Sequence, residues 1–255
     1  MLFGEIAYGP IHSRRLGTSL GMEIMPLEHK LCTFNCVYCE CGWNEKVEHP
    51  QLPTREAVRE ALENKLKALR RDGVELDVIT FSGNGEPTLH PDFKGIIEDT
   101  CDLRDTYCPK AKVSVLSNST QLGRKEVVEA LKLCDNRILK LDAATDTMMR
   151  RIDMPVSETL NVKQLTEWLK LFEGDFILQT CFLRGEHNGQ RIDNTSSEEL
   201  AAWYEAVDVL RPKQIMIYVI DRKTPEEHLE KIPREEMEAI AAPLIAKGFD
   251  VSISA

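Results

Sequence analysis

From residue 20 to the C-terminus, apolar runs of strand length alternate with stretches that carry apolar residues at helical spacing. Repeated βα units give this alternation, and they build parallel strands with helices on the outside. The runs at 20–25, 77–81, 112–116, 137–141, 176–182 and 214–219 read as six strands. A helix is expected over 54–71, with Thr54 as N-cap and Ala57, Ala61, Leu62, Leu66 and Leu69 along one side. Further helices are expected from about residue 92, over 124–133, and around Leu165, Trp168, Leu169 and Phe172. The next opens with the capping box Thr195-x-x-Glu198 ahead of Leu200, Trp203 and Tyr204. The last spans 233–247, with Pro233 in its first turn, before a short strand at 251–254. The expected fold is α/β, a partial (βα)6 barrel forming one domain over 1–255. Its core lies at about 18–250, with an N-terminal extension at 1–17.

Chemistry on such a barrel gathers at the C-terminal ends of the strands, on the βα loops. The chemically distinctive residues fall there. Cys32-Thr33-Phe34-Asn35-Cys36-Val37-Tyr38-Cys39 follows the first strand and Gly83-Asn84-Gly85-Glu86 the second. Ser117-Asn118-Ser119 follows the third, Asp142 the fourth and Asp221-Arg222 the sixth. In the first of these loops, three thiols are spaced C-x₃-C-x₂-C. Thiolate is the usual ligand of iron–sulfur clusters, and a cubane takes four ligands. Cys32, Cys36 and Cys39 would leave one iron open to a substrate or cofactor. Other uses of these cysteines stand beside this one. A disulfide framework suits short secreted chains, whereas this one has 255 residues and no evident signal peptide. A redox pair of Cys36 and Cys39 leaves Cys32 without a role. Adding Cys41 makes a four-thiolate zinc site conceivable, although such sites usually draw on two separated pairs. Cys101, Cys108 and Cys134, in or near helices, read as small hydrophobes, and Cys181 meets a substrate only if it points inward.

A net charge of −10 argues against generic phosphate-driven binding to nucleic acid, which needs surplus Lys and Arg. A local basic patch remains open at Arg14-Arg15 or Arg150-Arg151. No apolar run approaches a membrane span, and thiols in this number suit a reducing compartment, so a cytoplasmic enzyme is expected.

The cysteine loop resembles that of the radical S-adenosylmethionine (SAM) superfamily. The closer likeness is to a branch of small oxidoreductases that includes the wybutosine-synthesis tRNA enzyme. It rests on Gly9-Pro10, Ser13-Arg14-Arg15-Leu16-Gly17, Ser19-Leu20-Gly21, the cysteine loop, Phe81 to Thr88, and Asp221-Arg222, which together span most of the chain. The resemblance implies a radical SAM barrel carrying a [4Fe-4S] cluster on Cys32, Cys36 and Cys39. It implies SAM as cofactor, chelating the fourth iron, and a reductant such as flavodoxin or ferredoxin. Reductive cleavage of SAM would then yield a 5′-deoxyadenosyl radical that takes hydrogen from a substrate, a nucleic acid base or a small molecule. A Gly-Gly-Glu element in the superfamily binds the SAM amino group, which assigns Gly83, Asn84, Gly85 and Glu86 to the cofactor.

Tyr38 resembles the aromatic residue that contacts adenine, and Tyr218 would flank adenine by its place in the barrel. Ser117, Asn118 and Asp142 sit on the same rim as candidates for the ribose hydroxyls or the carboxylate; capping of a following helix is the other use of Asn118 and Asp142. Lys140 and Asp142 share one face of the fourth strand. The polar loop Arg184 to Gly189 is a candidate lid or substrate contact, though its polarity equally suits any exposed loop. Here no cysteine precedes Cys32, as the second cluster of the wybutosine enzyme would need. Two further functions stay open: an activase that installs a glycyl radical on a partner protein, and a non-catalytic iron–sulfur or zinc module.

Overall fold

A computed structural model describes residues 2–13 and 16–255, so Arg14 and Arg15 lie outside the described residues. The chain forms two compact units, and the first comprises the segment up to Cys32, Asn44–Ser117 and Gln121–Arg137. There β2 (Gly17–Met22), β3 (Val78–Phe81) and β4 (Lys112–Ser117) run parallel in that order. The helices that follow them are α1 (Arg55–Arg71), α2 (Phe93–Tyr107) and α3 (Lys125–Leu133). Thr54 caps α1 as expected, its hydroxyl accepting the Ala57 N–H at 3.2 Å. The buried face of α1 is Val58, Leu62, Leu66 and Leu69, so Val58 takes the place expected for Ala57. A side chain at that first turn gains more from burial when it is larger.

The segment read as an extension before the barrel joins the sheet. β1 (Ala7–Ser13) pairs antiparallel with β2, with a register shift between Tyr8 and Ile11.

The second unit comprises Thr33–Trp43, Asn118–Thr120 and Ile138–Ala255. Within it β5 (Asn136–Lys140), β6 (Ile177–His187), β8 (Gln214–Val219) and β10 (Val251–Ser254) are parallel neighbours in that order. Between β5 and β6 the chain forms α4 (Asp146–Ile152) and α5 (Val162–Leu169); α6 (Ser197–Leu210) precedes β8 and α7 (Arg234–Ala246) precedes β10.

Three expectations are corrected in this unit. The stretch Arg184 to Gly189, read as a loop, is largely strand. β6 continues through it as far as His187, pairing antiparallel with β7 (Gln190–Asp193) on one side and β9 (Leu229–Lys231) on the other. The cap of α6 lies one residue later than the box Thr195-x-x-Glu198: Ser196 accepts the Glu199 N–H at 3.3 Å. Glu199 is buried and turns to α4, accepting the Ala144 N–H at 2.9 Å and the Thr145 hydroxyl. Finally, Arg150 and Arg151 are spent on their own chain. Arg150 donates to the carbonyls of Ser157, Glu158 and Leu160, and Arg151 to that of Arg191. No helix among the described residues is long and apolar enough to cross a membrane.

Candidate active site

In the first unit, β3 runs straight into Ser82-Gly83-Asn84-Gly85-Glu86. Conformational freedom is not what the two glycines supply, because neither has a positive φ. They supply space. A Cβ on Gly83 would lie 1.9 Å from Glu23 Oε2, and one on Gly85 would lie 1.8 Å from the Leu31 carbonyl oxygen. Leu31 flanks Gly85 as in a strand pair: its N–H donates to Asn84 O at 2.9 Å and its carbonyl accepts the Glu86 N–H at 3.1 Å. Leu31 is bonded to Cys32, whose carbonyl accepts from Asn44 Nδ2 at 3.0 Å.

Asn84 was expected on the cofactor, but its side chain is committed to the protein. It accepts the Phe3 N–H at 2.8 Å and donates to the Phe3 carbonyl at 2.9 Å and the Pro26 carbonyl at 3.0 Å. Glu86 Oε1 accepts from the Thr88 N–H at 3.1 Å, from the Thr88 hydroxyl, and from the Ser117 hydroxyl at 2.9 Å. Three donors on one oxygen fix the carboxylate plane and tie it to the end of β4.

In the second unit the cysteine loop is docked by its backbone onto the C-terminal end of α4. The Asn35 N–H donates to Asp153 O and the Val37 N–H to Ile152 O, both at 2.9 Å, while the Val156 N–H donates to Thr33 O at 2.9 Å. A helix end exposes unused carbonyls, and here the loop satisfies them. The Asn118 side chain belongs to the same support. Its Nδ2 donates to Thr33 Oγ1 at 2.9 Å, and its Oδ1 accepts the Thr120 N–H at 3.1 Å and the Thr120 hydroxyl at 2.8 Å. It caps a turn rather than a helix.

Tyr38, between Cys36 and Cys39, is buried with its hydroxyl in a charged network. The phenol donates to Asp142 Oδ2 and accepts from Lys140 Nζ, which also lies 4.8 Å from the Tyr38 ring centroid and 3.5 Å from the Tyr218 hydroxyl. Asp142, a candidate for the ribose hydroxyls or the carboxylate or for a helix cap, accepts the Cys181 N–H at 2.7 Å and lies 3.5 Å from Lys140 Nζ. Burial works against the Lys140 ammonium, yet Asp142 and Tyr218 hold it well above the ordinary lysine range. Burial and the Asp142 charge push the Tyr38 phenol up. Cys36 Sγ donates to Asp153 Oδ1 at 3.6 Å, and Asp153 is pushed well above the carboxylate range by burial and by Asp142. Cys181 is fully buried in β6.

Sequence reasoning passed over Glu23, Asp153 and the whole of α4. Glu23 had a signal: it is an acidic residue inside the apolar run 20–25. It is 1% exposed at the end of β2, and its Oε1 accepts the Met25 N–H at 2.7 Å while Oε2 accepts the Asn84 N–H. Burial raises its pKa from 4.5 to about 7 against those N–H bonds. The α4 segment Asp146–Ile152 is short and gave no clean periodicity.

A model of the family described as "Radical SAM superfamily" matches residues 29–193, which begins just before the cysteine loop. The chain belongs to the radical SAM superfamily. Among solved radical SAM structures, Streptococcus suis SuiB bound to S-adenosylmethionine aligns with a TM-score of 0.64 and 14% identity, covering 89% of this chain and 49% of SuiB. TYW1 with a lysine-pyruvate adduct bound aligns with a TM-score of 0.62 and 16% identity, covering 91% of this chain and 75% of TYW1. These likenesses show the fold: α/β, as the alternation of elements predicts, and of the radical SAM type that the resemblance implies. A protein of Brachyspira hyodysenteriae named GTPase Obg is 31% identical over 234 residues. The match takes in 91% of this chain but 32% of that protein, so the chain spans about a third of its length.

The superfamily is built round SAM and an iron–sulfur cluster, and the thiols present suit the cluster. Three soft thiolate donors lie within eight residues, the set suited to three irons of a cluster. Among the described residues no three His, Cys, Asp or Glu side chains converge as a single-ion cage does; a cluster asks instead that each thiolate reach its own iron. All eight cysteines carry thiols.

Proposed function

We propose that this chain is a radical SAM enzyme that cleaves SAM reductively and takes hydrogen from a nucleic acid base or a small-molecule substrate. The observation that carries the reading is the ladder at Leu31. One residue before the first thiol of the motif, the backbone pairs with both sides of Gly85. Cys32, the first thiol of the motif, is thereby joined directly to the residue that pairs with the glycine–glutamate loop.

Cys32, Cys36 and Cys39 would hold a [4Fe-4S] cluster. When bound, the reduced cluster would pass an electron, delivered by a protein such as flavodoxin or ferredoxin, to the SAM sulfonium and release a 5′-deoxyadenosyl radical. Every other task falls to the chain. Glu86, with Oε1 fixed by Thr88 and Ser117, would receive the SAM ammonium as a charge-assisted hydrogen bond. Gly83 and Gly85 make room for Glu23 and the Leu31 carbonyl, which hold the loop that would receive it. Tyr38, clamped by Lys140 and Asp142, holds the last turn of the cysteine loop in place. The Tyr218 hydroxyl lies beside Lys140 at the end of β8 and would border the adenine.

Anaerobic reconstitution with iron and sulfide, then electron paramagnetic resonance of the reduced protein with and without SAM, tests the assignment. The account expects about four irons per chain and a spectrum that changes on adding SAM. Cys36→Ala is expected to lose both. A reduced cluster whose spectrum ignores millimolar SAM would refute the proposed coordination.

A further inference from the structure

Among the buried carboxylates that the reading above leaves unused, Glu23 is the one bonded to the cofactor loop. Glu23 follows β2, as Glu86 follows β3, but it points at backbone. Oε1 takes the Met25 N–H at 2.7 Å and Oε2 takes the Asn84 N–H, so one side chain bridges the ends of two adjacent strands. The same Oε2 occupies the space that a Cβ on Gly83 would need, at 1.9 Å. The Glu23 N–H is itself fixed, donating to Ile6 O at 2.7 Å.

The N-terminal segment closes round the same point. The Phe3 main chain exchanges two hydrogen bonds with the Asn84 amide, and the Phe3 ring stacks on Tyr8 with centroids 3.9 Å apart. The Tyr8 hydroxyl donates to Ser82 O at 3.0 Å, and its ring covers Gly21, where a Cβ would fall 2.1 Å from it. Ser82, Gly83 and Asn84 are therefore held from one side by Tyr8 and Phe3 and from the other by Glu23. A loop held by so many fixed partners presents its remaining N–H groups in one arrangement, which lowers the ordering cost that a ligand would otherwise meet.

We propose that Glu23 is a positioning residue for SAM: it sets the conformation in which the Gly83–Glu86 loop receives the cofactor, without touching the cofactor itself. This rests on the radical SAM reading of the loop. Glycine at 83 and glutamate at 23 then form a matched pair, each allowed by the other's shape.

The test is SAM affinity of the cluster-loaded protein by equilibrium dialysis, with iron content and melting temperature measured on the same samples. Glu23→Gln keeps the size but sets an amide N–H₂ or a single oxygen against two N–H donors; it is expected to weaken SAM binding at least tenfold with iron content unchanged. Gly83→Ala is expected to weaken it as much, because its Cβ meets the Glu23 carboxylate. On a Glu23→Ala background, where that carboxylate is gone, Gly83→Ala should add less than about a threefold loss. That non-additivity is a signature a general loss of stability does not produce. Wild-type binding with both single variants within twofold of it, or a fully additive double variant, overturns the proposal and leaves the radical SAM reading standing. A wild type that holds its cluster yet binds no SAM removes both.

Discussion

The glycine–glutamate loop of the first unit and the cysteine loop of the second share main-chain bonding but differ in what is added to it. Ser82–Glu86 is fastened by backbone approach: Leu31 pairs with both sides of Gly85, Glu23 fills the space at Gly83, and Asn84 ties to Phe3 and Pro26. The Glu23 and Asn84 side chains are tied to main-chain groups, Glu23 to the Met25 and Asn84 N–H and Asn84 to Phe3 and Pro26. The cysteine loop, besides its main-chain bonds to the end of α4, is fastened by charge, through a Lys140–Asp142 pair closed round the Tyr38 phenol. The difference suits the two tasks. A loop that must admit a ligand against its backbone has no room for side chains. A loop whose thiols carry negative charge when they bind metal gains from a fixed cation nearby, since Coulomb energy grows where water is excluded.

This contrast can be broken from either side. The largest effect is expected at Asp142, whose side chain is 0% exposed. Asp142→Ala would leave Lys140 buried without its counter-charge, and a loss of about 3–5 kcal/mol in urea unfolding is expected. A change below about 1 kcal/mol would show that the pair is not what holds the cysteine loop.

Next comes the proton dependence of the other loop. Glu23 has a folded pKa of about 7 against an ordinary 4.5, so the folded protein holds its proton more tightly than the unfolded chain. Its contribution to stability is fully present below pH 4.5 and is lost as pH rises through 7. The loss should total roughly 3 kcal/mol, at about 1.4 kcal/mol per pH unit. Comparing unfolding of the metal-free protein with that of Glu23→Gln across pH 4.5–8 reads it, the variant giving the flatter curve. Parallel curves would mean that Glu23 keeps an ordinary pKa.

The smallest change sharpens the comparison. Tyr38→Phe removes the phenol and lets Lys140 and Asp142, already 3.5 Å apart, close on one another. About 1–2 kcal/mol of stability should go, with the charged pair retained. A loss as large as that of Asp142→Ala would make the phenol, and not the ion pair, the principal fastening.

Much of this molecule was legible in its sequence, because hydrophobic period reports directly on βα units. The strand at Gln214–Val219 and the helix capped by Thr54 are found where pattern and cap chemistry place them. The errors share a cause. β1 and the outer half of β6 are polar or contain Gly and Pro, so their strand character comes from pairing with β2, β7 and β9 rather than from local composition. The cap of α6 moved by one residue because Thr195 is held elsewhere, its hydroxyl donating to Asp193 at 2.7 Å. At the site, the thiol motif and the glycine loop stand out as spacing, and Lys140 and Asp142 as residues on one strand face. Asp142 closing on Tyr38, and Glu23 on Asn84, are contacts between residues 104 and 61 apart in sequence, which no local pattern reports.

The measurement that bears most directly on the account is the formation of 5′-deoxyadenosine by the reduced, cluster-loaded protein given SAM, followed by chromatography and mass spectrometry. The account predicts its release from the wild type and none from Cys36→Ala. A fully loaded, reduced wild type that binds SAM and still yields no more 5′-deoxyadenosine than the variant, in the presence of candidate nucleic acid and small-molecule substrates, would contradict it.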